Sequence, residues 1–219
     1  MKYKIGFIDE DADQVDTYER RLRKKDFEVI GYKIEKGVTL DNLLSQVYNS
    51  NIDLLMVDFL LSDRGILDFN GDEVVREYQK IKPGFPTIVF TNLEGQAFPK
   101  VDNPNIVYEK EMTLKENIDR FTEILRKNIL VYQRYIQERK DLIAVLSEKA
   151  ATKGLDAKDK HSLSVAQFEL QNLDKRAAPE APMQLLNIDK IETLTETTKE
   201  AEAFLEELIK NQKKNDPKR

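Results

Sequence analysis

The sequence predicts an α/β protein: a doubly wound, five-stranded parallel sheet followed by an all-α bundle or hairpin. Two observations carry the first half. Short apolar runs alternate with amphipathic segments, the order expected of strands and helices in a parallel sheet. Runs such as Ile52-Asp53-Leu54-Leu55-Met56-Val57-Asp58 are nearly continuous in apolar residues, as strands covered on both faces must be. A third observation carries the second half, where apolar residues recur at helical spacing.

The expected strands are 3–8, 27–34, 52–58, 86–90 and 105–109. Between them, Asp11 to Lys25, Thr39 to Tyr48 and Gly71 to Ile81 read as amphipathic helices, the last stopped by Lys82-Pro83-Gly84. Gly95, Pro99 and Pro104 leave room only for a short or irregular helix between Leu93 and Asn103. Thr113-Leu114-Lys115-Glu116 has the form of a capping box. It predicts a helix of nearly forty residues, with Leu114, Ile118, Phe121, Leu125, Tyr132, Tyr135, Leu142 and Leu146 on one stripe. The first break is Gly154. Asp156 is placed to cap a further helix bearing Leu163, Ala166, Leu170 and Leu173. After a stiff Pro-rich connector at 177–182, a last helix carries Ile191, Leu194, Thr198, Ala201, Leu205 and Leu208. The expected organisation is a domain over 1–127, a helical domain over 128–213 entered through the long helix, and a disordered tail over 214–219.

Composition narrows the function. The 219 residues contain no cysteine, which excludes disulfides and thiolate chemistry. No apolar run approaches a membrane span, and Met1-Lys2-Tyr3-Lys4 leads straight into a strand without a signal-like stretch. The expectation is therefore a cytoplasmic protein without membrane contact. Residues 1–112 hold 15 Lys/Arg against 21 Asp/Glu, and the remainder 20 against 19. Neither part has the basic excess of a nucleic-acid binder, so no nucleic-acid partner is expected.

The chemistry gathers at strand ends. The first strand runs into Asp9-Glu10-Asp11, the third closes on Asp58, the fourth reaches Thr91 and the fifth Lys110. Open α/β sheets place their sites at this carboxyl edge. Three carboxylates there suit a hard cation such as Mg²⁺. An acid pair, a lone Asp, a hydroxyl and a Lys, each at a strand end and in this order, resemble the receiver domain of two-component response regulators over about residues 1–127.

The resemblance implies strand order 2-1-3-4-5, with Asp58 as phosphoacceptor and Thr91 and Lys110 contacting the phosphoryl group. It implies Mg²⁺ held by Asp9, Glu10, Asp58 and the backbone carbonyl of Leu60. It also implies a histidine kinase or phosphotransfer protein as donor. Leu60 and Leu93 fall where the family flanks the path of attacking water, and both are apolar. The chain departs from the family in having Glu111 after the Lys, where Pro is usual. Val107 stands at the aromatic switch position, and Tyr108 beside it points to the other face by strand alternation. The loop from Asp58 to Gly71 is also longer than typical.

The leading expectation is a response regulator, not an enzyme beyond its own phosphoryl chemistry. Its helical region would bind a protein partner or a second copy. Two alternatives stay open. One is a pseudo-receiver scaffold that takes no phosphate. The other is a helical phosphatase or phosphotransfer module, for which Gln167, Gln171 and Asp174 offer an acid and amides. His161, the single histidine, reads as a solvated helix residue.

Overall fold

Five strands, β1 (Tyr3–Ile8), β2 (Phe27–Gly31), β3 (Leu54–Asp58), β4 (Thr87–Thr91) and β5 (Val107–Glu109), form one parallel sheet in the order β2-β1-β3-β4-β5. The computed structural model describes residues 2–174 apart from Lys33. The helices are α1 (Ala12–Arg23), α2 (Leu40–Asn49), α3 (Gly71–Ile81), the single turn α4 (Glu94–Ala97), α5 (Ile118–Thr152) and α6 (Ala157–Leu173).

Side-chain alternation along each strand divides the core. Ile5, Phe7, Leu54, Met56, Ile88 and Phe90 face α1 and the start of α5, with Leu22, Phe121, Leu125 and Ile129. Ile8, Leu55, Val57 and Val89 face α2 and α3, with Leu43, Val47, Val74 and Tyr78. Both faces are thus covered, which is why β3 and β4 are buried along their whole length.

Local chemistry sets the boundaries. Asp11 accepts from the Asp13 amide to cap α1, and Thr39 accepts from Asn42 to cap α2. α3 starts and stops where Asn70-Gly71 and Lys82-Pro83-Gly84 place it. Gly71 is required by close approach: a Cβ there would lie 2.2 Å from the backbone oxygen of Asp58, while its own amide donates to Phe59 O at 3.0 Å.

α5 packs on the sheet through Phe121, Leu125 and Ile129, and Tyr132 meets Phe85 edge-on at 5.5 Å. Its 35 residues span about 52 Å at helical rise. Gly154, at φ +76°, turns the chain, and Asp156 accepts from the Asp159 amide to cap α6. α6 returns antiparallel to α5. Leu146 and Ala166 are buried between them, Lys149 pairs with Asp159, and Arg139 Nε donates to Glu169 at 2.8 Å. The end of α6 reaches the sheet domain again. Asp174 accepts from the Tyr48 hydroxyl at 2.9 Å and pairs with Lys82 at 3.4 Å.

Several expectations need correction. The long helix starts at Ile118, not Leu114. Thr113 donates to Lys110 O at 2.9 Å and accepts from Arg21 at 2.8 Å, so its hydroxyl does not cap a helix, and Leu114 is extended. Lys110–Thr113 is instead a 3₁₀ turn. β2 ends at Gly31, three residues early, where Tyr32 turns inward to Ser50 at 2.7 Å. β5 begins at Val107 because Pro104–Ile106 forms a 3₁₀ turn. Leu142, expected on the buried stripe, is 41% exposed. The 177–182 connector, the last helix and the 214–219 tail lie outside the described residues.

Gly71→Ala should lower stability by about 3 kcal/mol, since the new methyl meets backbone that cannot step aside. Urea unfolding beside the wild-type protein measures it; a loss below about 0.5 kcal/mol would show that the end of β3 yields freely.

Candidate functional site

The parallel register brings the ends of β1, β3, β4 and β5 to one edge of the sheet. Asp9 follows β1 and is 4% exposed; Asp58 ends β3 and is 9% exposed. Lys110 follows β5. Its Nζ lies 3.0 Å from Asp9 Oδ2 and 3.1 Å from Asp58 Oδ1. The remaining Asp9 oxygen accepts from the Asp11 amide at 2.9 Å. Thr91 ends β4, is buried, and accepts from the Leu93 amide at 3.0 Å. That bond leaves its hydroxyl hydrogen free to donate elsewhere.

Glu10 is placed differently from its neighbour. It accepts from the Arg64 amide at 3.2 Å, and the Arg64 Nε lies 3.8 Å from its other oxygen. The same guanidinium donates to Asp11 at 2.6 Å. Thus Asp9, Asp58 and Lys110 come together, while Glu10 and Asp11 are engaged by Arg64. Among the described residues no group of three or more acids, histidines or cysteines is gathered closely enough to hold a metal ion. Leu60 is partly buried against the α2/α3 core, and Leu93 is 36% exposed.

Arg64 and Asp11 were not legible as site residues. Arg64 sits in an irregular loop without periodicity, and its only sequence signal is a cation near an acid-rich strand end. Val107 and Tyr108 face opposite sides of the sheet, as alternation requires: Val107 joins the α2/α3 core, and Tyr108 packs on Phe121 with ring centres 6.2 Å apart. No cis peptide occurs among the described residues, the Lys110–Glu111 bond included. His161 is exposed on α6, and Asp174 is committed to Tyr48 and Lys82.

Electrostatics follow from burial. Removal from water pushes the Asp58 carboxyl up to about 6, a rise that Lys110 partly offsets and Asp9 reinforces. Burial works against the Lys110 ammonium, but Asp58 and Asp9 outweigh it and hold its pKa above the ordinary value. Burial raises Glu10, against the lowering effect of Arg64. At neutral pH the arrangement is an ionised, partly desolvated carboxylate beside an ammonium. It can act as an oxygen nucleophile and can hold negative charge that develops next to it. Asp9 and Asp58 also suit a hard divalent cation in donor type, being two carboxylates within reach of one point.

No family model matches the chain, and no curated protein matches its sequence. Among solved structures, a response regulator receiver protein from Sinorhizobium medicae is similar, at 18% identity over 58% of this chain and 97% of its own, TM-score 0.45. A CheY-like receiver domain from Methanospirillum hungatei is similar at 21% identity, over 58% and 97%, TM-score 0.44. The Thermotoga maritima regulator TrrA, in complex with Mg²⁺ and BeF, is similar at 19% identity, over 58% and 99%, TM-score 0.43.

The raised Asp58 pKa has a sign. A carboxyl harder to ionise when folded opposes folding above its unfolded pKa, so its unfavourable contribution grows as pH rises from about 4 to about 6. Asp58→Asn should therefore be more stable than wild type at pH 7 without divalent cations, by about 1 to 3 kcal/mol. The gain should fade below pH 4. Chemical denaturation at several pH values checks it, and a gain independent of pH would assign the effect to something other than this charge.

Proposed function

We propose that the chain is a response-regulator-like protein in which Asp58 accepts a phosphoryl group. The observation that carries this reading is Lys110 bridging Asp9 and Asp58 at the carboxyl edge of a 2-1-3-4-5 sheet. In the step proposed, an Asp58 oxygen attacks phosphorus in line, the donor's phosphorus–leaving-group bond breaks, and the leaving group departs with its electron pair. An acyl phosphate remains on Asp58.

Lys110 is the cation for the transferred phosphoryl oxygens, and Thr91 donates to one of them. Asp9 and Asp58, with the Leu60 carbonyl and with Glu10 once Arg64 is displaced, would hold Mg²⁺. The ion supplies charge neutralisation for the incoming group. A histidine kinase or phosphotransfer protein is the donor class. The helical region beginning with α5 serves as a protein-binding output, in keeping with its near-balanced charge.

A second reading has one observation in its favour. Lys110 and Arg64 already pair with Asp9, Asp58, Glu10 and Asp11, as a scaffold that never takes phosphate would require.

Incubation with a small acyl phosphate and Mg²⁺, followed by intact mass, decides between them. One phosphoryl adduct is expected on the wild type and none on Asp58→Asn. Absence from both favours the scaffold, and an adduct on Asp58→Asn moves the acceptor elsewhere. Leu60 and Leu93 cannot orient water. The adduct should last minutes to hours, and Leu60→Asn with Leu93→Glu should shorten that severalfold. Loss from the wild type within seconds would show that these two side chains do not hold water away from the adduct.

A further inference from the structure

Beyond the acceptor site, the loop between β3 and α3 carries a cation of its own. Its ends are anchored. Asn70 Oδ1 accepts from the Leu61 and Ser62 amides at 3.1 and 3.2 Å and from the Ser62 hydroxyl at 3.0 Å. Leu67 and Phe69 are buried in the core. Its tip is a tight turn in which the Gly65 amide donates to Ser62 O at 3.0 Å. Gly65 has φ +66°, and residues 63–65 are exposed, so the tip packs on no part of the core. At its apex Arg64 reaches back to the turn between β1 and α1, placing its amide on Glu10 and its guanidinium on Asp11, with Nε 3.8 Å from Glu10.

The acids at this edge, Asp9, Glu10, Asp11 and Asp58, with Asp63 in the loop, are answered by Lys110 and Arg64. Lys110 lies between Asp9 and Asp58, whereas Arg64 spans Glu10 and Asp11, its amide on Glu10 and its guanidinium 2.6 Å from Asp11 and 3.8 Å from Glu10. A divalent cation and the Arg64 side chain therefore seek the same carboxylate. Both cannot hold it at full strength, because an oxygen bound to a metal is a weaker partner for a neighbouring positive charge.

We infer that Arg64 is a resident counter-cation that a divalent metal displaces from Glu10, so that metal loading leaves the loop tip at 62–66 held through Asp11 alone and loosens it. The inference rests on the reading of Asp9, Glu10 and Asp58 as a cation site. It adds a mechanical consequence: the surface beside the acceptor takes one shape without metal and another with it. A phosphodonor protein docking at this edge meets only the second shape once Mg²⁺ is present. Binding the metal then costs the energy of one partly exposed ion pair, which sets a modest penalty on affinity.

The test titrates the full chain with Mg²⁺ alone, reading affinity by calorimetry and loop exposure by hydrogen exchange over 59–70. Arg64→Ala and Arg64→Gln accompany the wild type; both change a half-exposed side chain. The variants should bind Mg²⁺ roughly three- to tenfold more tightly than wild type. In the wild type, Mg²⁺ should speed exchange at 62–66. Equal affinities, or a wild-type loop whose exchange Mg²⁺ leaves unchanged or slows, would overturn the displacement while leaving the cation site standing. Mg²⁺ binding to neither the wild type nor the variants would overturn the cation site, and the displacement with it.

Discussion

One ammonium between two buried carboxylates organises the carboxyl edge of this sheet. Asp9 follows β1 and Asp58 ends the adjacent β3, both within about 3 Å of one ammonium, and two like charges about 5 Å apart repel by about 3 kcal/mol at an effective dielectric near 20. Lys110 removes that conflict because β5 delivers it from the far side of β4. The turn that follows is fixed by Thr113, which binds Lys110 O and Arg21 together. Three constraints meet here: strand order, the length of β5, and the 3₁₀ turn that postpones α5. A phosphoryl group arriving on Asp58 would compete for the same ammonium, so occupancy of the site and the position of Lys110 are coupled by charge alone.

Beneath this edge the packing is aromatic. Phe7, Tyr18 and Phe90 meet edge to face, and Phe90 stacks on Phe121 of α5 with centres 5.4 Å apart. These rings are large, rigid and nearly fully buried, and each contributes a few kcal/mol through burial. They fix α1 and α5 against the strands that bear Asp9, Asp58 and Thr91. The aromatic at Tyr108 belongs to this layer, on the opposite sheet face from Val107, so its contact is with α5 through Phe121.

Legibility in the sequence followed the strength of local signals. Strands β1, β3 and β4 are largely apolar runs closed or followed by a polar residue, and their ends, with that of β5, put Asp9, Asp58, Thr91 and Lys110 on one edge. α3 was readable at both ends, because Asn70-Gly71 and Lys82-Pro83-Gly84 permit little else. The start of α5 is not legible, because Thr113 satisfies a helix-cap pattern yet spends its hydroxyl on Lys110 and Arg21, contacts that no local pattern encodes. Arg64 is illegible for the same reason: its partners lie more than fifty positions away, and a loop has no periodicity. The return of α6 to Tyr48 and Lys82 is equally a tertiary fact, although the cap at Asp156 and the break at Gly154 announced the hairpin itself.

The most direct measurement is a crystal structure of the full chain grown with Mg²⁺ and beryllofluoride. The fluoride complex is expected on an Asp58 oxygen, with Lys110 Nζ turned from that carboxylate to a fluorine and Mg²⁺ against Asp9. A site without beryllofluoride on Asp58, with Lys110 still bridging Asp9 and Asp58, would contradict it.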